Sequence, residues 1–527
     1  MKLFCIYVTI ARQLFLLPEL EGRNLENANE LNIATSRKIA DVELTGQVGF
    51  SAEGERITKV LTASAQPRID KVSTTAGEVK FDGKICYNFL VQQEGGEIKN
   101  ICKEESFAGS YQGDNIDDGC EVYGKAVLTD LINDGTSGEE VKYTSKIKVS
   151  LFAICVEKGL SCAVAPEGVY VKEEETSYMS FAGKLDSTAN IFFDLQKDSK
   201  IHNILSTTNF ATIKNVIPSD GYFAVSGEVY SNIIYQTEDG KLKSMFKQNQ
   251  FQEEIASQDI TKESVVEAWV TAGCGVVEEN NDRGVFEITI PLYIESLVFN
   301  KQSQKCVVDA FSPKCEVKLT TTSFEQTEFE PTRQFDENIL TTFAVPEGVA
   351  PIDKILTTTP NNISIINQVA NQGEVVFEGI ANINIVFESV DDDDNATTNS
   401  LDVEVPYSIT YQSPDIVKGA TINSQASIGD VNVKAKRGGE LEILAEVSIN
   451  FAQNTNSTNA VTTGIELGEE KPPKNWALEI YLAHEGQTLW DVAKELDVPL
   501  STLVEQNGEL SLPLADGQKI VAYNYER

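Results

Sequence analysis

Gly83-Lys-Ile-Cys-Tyr-Asn-Phe-Leu-Val91 decides the fold, because Ile85, Tyr87, Phe89 and Val91 share one face of an extended chain. Alternation with a period of two predicts a half-buried β-strand. The pattern recurs twice: Gly227 leads into Val229, Ser231, Ile233 and Tyr235, and Gly379 leads into Ala381, Ile383, Ile385 and Phe387. An asparagine follows five positions after the glycine in each stretch, Asn88, Asn232 and Asn384, on the opposite face. Six residues upstream stands another glycine, Gly77, Gly221 or Gly373. Further upstream lies an aliphatic pentad, Ile57-Thr-Lys-Val-Leu61, Ile201-His-Asn-Ile-Leu205 or Ile352-Asp-Lys-Ile-Leu356. The paired glycines read as bulge or turn positions, since no Gly-Lys-Ser/Thr follows to make a phosphate loop. The asparagines are expected to satisfy backbone groups at a turn or sheet edge.

Downstream, Glu94-Gly-Gly96 and Glu238-Asp-Gly240 are hairpin turns, since both glycines and Asp-Gly tolerate positive φ. Asp391-Asp-Asp-Asp-Asn395 stands in their place in the third stretch. Alternating runs close each unit: Ile147, Val149, Leu151; Ile288, Ile290, Leu292; and Leu441 through Phe451. A period of about 150 residues is too long for a solenoid repeat, so each unit is expected to hold its own core. The expected fold is mainly β: three tandem antiparallel β-sandwich-like repeat domains at 36–158, 168–300 and 315–453, after a leader segment at 1–35. Polar, proline-bearing residues 454–476 read as a linker.

The last fifty residues change period. Leu478-Glu-Ile-Tyr-Leu482 alternates, Thr488 is an N-cap for Leu489–Leu496, and Asp497-Val-Pro499 breaks that helix. Ser501 caps a second helix that ends at Asn507-Gly508, and Lys519–Tyr523 is a last strand. Trp490, Leu489, Val492, Leu496 and Leu503 are the expected core of this βααβ unit at 477–527.

Composition sets limits. The 527 residues carry 43 Lys and Arg against 80 Asp and Glu, a net charge of −37 that repels phosphate backbones, so no nucleic-acid partner is expected. With two distant histidines, His202 and His484, and no Cys-x-x-Cys pair, neither a metal site nor a catalytic constellation is expected, and no cofactor. Asp391, Asp393 and Asn395 have the spacing of an EF-hand start. Ala396 replaces the loop glycine and Asp402 the closing glutamate, so a solvated hairpin tip is expected instead of calcium. Adjacent carboxylates at Glu173–Glu175 and Asp117–Asp118 have no apolar pocket to split their pKa values. Nine scattered cysteines read as reduced thiols in a cytoplasmic protein. No apolar run reaches a membrane span, and the eight-residue stretch after Met1 lacks a cleavage site for export.

His484-Glu-Gly-Gln-Thr-Leu-Trp-Asp-Val-Ala493, Leu503-Val-Glu-Gln-Asn507 and Gly517-Gln-Lys-Ile520 together resemble a LysM domain. The resemblance implies a binding groove of Gly486, Gln487, Thr488, Leu489 and Asp491 facing Leu512, Pro513 and Leu514. LysM modules commonly take N-acetylglucosamine-containing glycan such as peptidoglycan. This copy has Gln487 for the usual Asp, Gly508 where proline is frequent, and no Ile-Pro ending. Three β repeats followed by one such unit resemble the SipL-like family of spore-coat morphogenetic proteins, with SPOCS-type repeats and a relationship to stage VI sporulation protein D. That resemblance implies a non-enzymatic scaffold of spore coat assembly in the mother-cell cytoplasm at the forespore surface. Its LysM domain would bind the ATPase that polymerises as the coat basement layer. The alternative is a peptidoglycan-binding envelope protein.

Overall fold

The computed structural model describes residues 30–523 except 52–55, 76, 114–115, 117–118, 138–139, 391–395, 438, 509 and 511–512. The chain is mainly β, in several antiparallel sheets, with two short helices among the described residues. Of the expected leader, 1–29 lie outside the described residues, as do the Asp391–Asn395 tip and Asp117–Asp118, while residues 30–35 are already strand.

The first segment has β1 (Glu30–Phe50), β2 (Ile57–Thr75), β3 (Glu78–Gln93), β4 (Ile98–Gln112), β5 (Cys120–Ser137) and β6 (Glu140–Ser161). These make two sheets, ordered β1-β6-β5 and β2-β3-β4. The alternating residues Ile85, Tyr87, Phe89 and Val91 of β3 face Ile147, Val149 and Leu151 of β6 across a shared core. The second segment has β7 (Tyr170–Gln196), β8 (Asn203–Ser219), β9 (Tyr222–Gln236), β10 (Leu242–Ala256), β11 (Val265–Ala272), β12 (Val276–Asn280) and β13 (Val285–Phe311). Here β8-β9-β10 form one sheet, and β13 pairs with β7, β11 and β12 in the other. The third has β14 (Cys315–Phe329), β15 (Arg333–Ala344), β16 (Lys354–Asn371), β17 (Glu374–Val390), β18 (Ala396–Gln412), β19 (Thr421–Lys436) and β20 (Glu440–Glu470). Its sheets are β16-β17-β18 and β20 with β14, β15 and β19.

The glycines explain how each meander bends. Gly77, Gly221 and Gly373 hold φ of +79°, +88° and +83° in the turns before β3, β9 and β17, a conformation that disfavours a Cβ. Gly83, Gly227 and Gly379 pair with Ile69, Ile213 and Ile365, where the register to the preceding strand slips by one residue. A Cβ at these positions would collide with the carbonyl oxygens of Arg68, Thr212 and Ser364. It would also meet the rings of Phe107, Phe251 and Tyr407, their cross-strand partners on β4, β10 and β18. A bulge brings backbone onto backbone, and an aromatic ring covers the bare glycine.

The outer faces of the meanders pack together: Leu61 and Leu90 from the first segment, Leu205 and Ile234 from the second, and Val386 from the third form one buried cluster. The long ends of β1, β6, β13, β14 and β20 also converge, burying Leu31, Leu160, Cys306, Phe324 and Val461. Residues 454–470, expected as linker, therefore continue β20 and pair with β14 from Asn454↔Phe329 to Glu470↔Cys315. Their Asn and Thr side chains hide the strand from a hydrophobicity reading, but Val461 and Thr462 are buried. The connection to the C-terminal unit shrinks to the residues between Glu470 and Leu478.

The expectation of reduced thiols is corrected as well. Cys86–Cys274, Cys120–Cys155 and Cys162–Cys306 are disulfides, with Cα atoms 6.4, 4.2 and 5.3 Å apart. The first and third join the first segment to the second, whereas Cys120 and Cys155 are direct partners across β5 and β6. Among the described residues Cys102 and Cys315 are free, and Cys5 lies outside them.

The C-terminal unit runs β21 (Leu478–Leu482), α1 (Leu489–Glu495), α2 (Leu500–Asn507) and β22 (Lys519–Tyr523), with the two strands antiparallel. Trp490, Val492, Leu496, Leu503 and Ile520 form its core together with Phe311 from the end of β13.

Candidate functional site

The residues expected to form a C-terminal groove divide into builders and exposed positions. Gly486 turns the chain at φ +88° with open space where a Cβ would stand. Gln487 is part of the turn, because its Oε1 accepts from the His484 amide at 2.9 Å and its Nε2 donates to Tyr481 Oη at 2.9 Å. Thr488 and Asp491 make a capping box: the Thr488 amide donates to Asp491 Oδ2 at 2.7 Å, and the Asp491 amide to Thr488 Oγ1 at 3.3 Å. The Thr488 hydrogen bonds hold the Asp491 carboxyl below the usual carboxylate range. Leu489 is half-buried against the core. Leu514 does not line a groove; it is 3 % exposed and packs inward with Ile520 and Val492. Pro513 is exposed, and Leu512 lies outside the described residues. Trp490 is core, as its helical spacing predicts.

Opposite the helices, the outer face of β21 exposes Leu478, Ile480 and Leu482, with Tyr523 of β22 beside Leu478. On its other side the unit is fixed to β13. Trp490 Nε1 donates to Asp309 Oδ2 at 2.7 Å, Lys494 Nζ reaches Asp309 Oδ1 at 2.6 Å, and Phe311 meets the indole edge-on at 5.1 Å.

Asn88 and Asn384 work between segments and not at edges. Asn88 Nδ2 donates to the Thr207 carbonyl at 3.2 Å, and Asn384 Nδ2 to the Leu61 carbonyl at 3.0 Å and to Asp402 Oδ1 at 2.8 Å. Each stands on a central strand whose outer face is covered by a neighbouring segment. Asn232 is buried on the same kind of face. Asp402 is thereby committed inside the protein, where burial pushes its carboxyl up against the Asn384 hydrogen bond.

Sequence reasoning missed a cavity of about 460 Å³ where the three segments meet, lined from β1, β2, β5, β6, β8, β11, β13, β16 and β19. Amides stitch its walls. Gln66 Nε2 donates to the Asn209 carbonyl at 2.6 Å, Asn362 Nδ2 to the Leu128 carbonyl at 2.8 Å, and Gln425 Nε2 to the Val270 carbonyl at 2.8 Å. Beside it one residue from each segment converges, with Asn423 Nδ2 donating to Glu267 Oε2 at 3.0 Å and to Tyr123 Oη at 3.4 Å. Lys125 lies with its ammonium 4.5 Å from the Trp269 ring centroid. Burial pushes Lys125 down to about 8, against the pull of Glu267 and Glu295. No single stretch carried a signal for this cavity, because its walls are gathered from Lys38 to Ser427.

Among the described residues there is no metal-ligating cluster, and no helix is long and apolar enough to cross a membrane. No family model, curated protein or solved structure matches this chain.

Proposed function

We propose that this chain is a non-enzymatic scaffold of bacterial spore-envelope assembly, made of three copies of one SPOCS-like β module and a C-terminal LysM-like βααβ unit. One observation carries the reading most: the same glycine, pressed on a carbonyl and roofed by an aromatic ring, occurs at Gly83, Gly227 and Gly379. The order β21-α1-α2-β22 with its capping box supports the LysM comparison. Docking on β13 leaves the turn at Gly486, the Pro513 side and the apolar face of β21 available to a partner. The expected partner is the coat basement-layer ATPase, met in the mother-cell cytoplasm. A fluorescent fusion in a sporulating bacterium should form a ring around the forespore, and copurify that ATPase until residues 477–527 are deleted. Diffuse signal and unchanged recovery after the deletion would sink this reading.

The three cysteine pairs favour a second reading, because disulfides persist in oxidising compartments. In it the LysM-like unit holds peptidoglycan outside the membrane. Sedimentation of the purified chain with sacculi at moderate salt, lost on deleting 477–527, would select it.

A further inference from the structure

The cavity between the three segments carries a charge balance unlike that of the chain. Against an overall 43 cationic and 80 anionic side chains, its walls present Lys38, Arg68, Lys125 and Lys148 with only Asp41 and Glu295. Most of these are already neutralised. Lys38 pairs with Asp41 at 2.8 Å, Arg68 with Asp70 at 2.7 Å, and Glu295 with Lys184 at 3.2 Å while accepting from Trp269 Nε1 at 2.8 Å.

Lys125 and Lys148 remain: among the described residues neither ammonium makes an ion pair or hydrogen bond, although Asp41 attracts Lys148 and Glu267 and Glu295 attract Lys125. They share the outer face of the β5–β6 pair. Lys125 stands opposite Ser150 and Lys148 opposite Val127, which makes the lysines diagonal neighbours about 7–8 Å apart along the sheet. Glu43 faces Lys148 in the β1 register without reaching ion-pair distance. Glu267, the other carboxylate near Lys125, is buried and pushed toward its neutral form. Two ammonium groups on one wall of the cavity offer an entering anion two attractive partners. About 460 Å³ is the size of pocket that takes a metabolite.

We propose that this cavity binds a small oxyanion-bearing ligand, a carboxylate or a phosphate, through Lys125 and Lys148 beside the Trp269 indole. The site is independent of the scaffold reading, and its named neighbours are two lysines of the first segment and the Trp269 indole of the second. Amine acetylation of the full chain at pH 8 tests it, with limiting acetic anhydride and peptide mass spectrometry. Inorganic phosphate and citrate are compared with chloride at equal ionic strength. Lys125, titrating near 8, should label readily in chloride and at least fivefold less with the bound anion, while exposed Lys80 stays unchanged. Protection by phosphate alone identifies a phosphate ligand, by citrate alone a carboxylate, and by both the shared chemistry. Lys125→Gln and Lys148→Gln should each weaken calorimetric binding tenfold or more. Should Lys125→Gln fail to fold, the Lys148 variant carries the measurement. Equal labelling of Lys125 in all three salts, or wild-type affinity in Lys148→Gln, overturns the proposal.

Discussion

Asp309 accepts the Trp490 indole N–H at 2.7 Å, so the side chain at the centre of the C-terminal core also ties that unit to the end of β13. Lys494 binds the same carboxylate at 2.6 Å. Asp309→Ala should remove both contacts and loosen docking by about 2 kcal/mol, the scale of charge-assisted hydrogen bonds. The readout is limited proteolysis between Glu470 and Leu478, which should speed up while the β segments stay resistant. Although burial alone raises the Asp309 carboxyl, the Lys494 and Trp490 hydrogen bonds outweigh it and leave its pKa lowered. A carboxylate depressed in the folded state contributes fully above its unfolded pKa, about 3.9, and the contribution fades as pH falls through the folded value. Cleavage of the unaltered chain should therefore be flat from pH 8 to 5 and accelerate only below about 4. Insensitivity to the Asp309 change would show that Phe311 packing alone holds the unit.

The two classes of glycine should respond differently. Gly83→Ala drives a methyl into the Arg68 carbonyl and the Phe107 ring, an overpacking that costs about 1–3 kcal/mol. Gly77→Ala meets nothing within 4 Å but must hold φ near +79°, a cost of about 1 kcal/mol. Thermal melts of the two variants should rank in that order, and the same ranking should hold for Gly227 against Gly221. Equal melting of Gly83→Ala and the parent would mean that β2 and β3 do not approach as described.

The contrast between those positions and the rest shows what a sequence exposes. The central strands were legible because Ile85, Tyr87, Phe89 and Val91 alternate locally and because a glycine that must be glycine leaves its mark at one site. Residues 454–470 were not, since their strand is held by pairing with β14, more than a hundred residues earlier in the chain. Leu514 was assigned to a groove by resemblance, yet the pull of the small core turns it inward. The junction cavity was invisible for the same reason as the strand at 454–470. Lys125, Asn209, Trp269 and Gln425 mean nothing together until three separate meanders have packed.

Cysteine pairing is equally non-local. Cys86–Cys274 and Cys162–Cys306 span 188 and 144 residues, so each closes a long loop and should stabilise the body by about 2–5 kcal/mol. Alkylation of the native chain before reduction should mark Cys102 and Cys315, and the six paired cysteines only after it. A Cys86→Ser/Cys274→Ser double variant should unfold at lower denaturant concentration, and dithiothreitol should bring the parent toward it. Labelling of Cys86 without reductant would remove one of the two bridges between the first two segments.

Glu267 offers the sharpest pH test of the junction. Its side chain is 1 % exposed, and burial raises its pKa despite hydrogen bonds from Asn423 and Asn454 and the attraction of Lys125. A carboxyl with a raised folded pKa holds its proton longer in the native state, so native stability is greatest below the unfolded value, about 4.3, and declines as pH rises through the folded one. Glu267→Gln keeps an oxygen for Asn423 and removes the titration. The variant should gain on the parent between pH 4 and pH 8, because it lacks the carboxyl whose deprotonation the buried site disfavours. Denaturant melts at the two pH values measure the difference directly. A gap that shrinks with rising pH would mean that Lys125 neutralises the carboxylate across the junction, and the Lys125 ammonium would then be unavailable to any ligand.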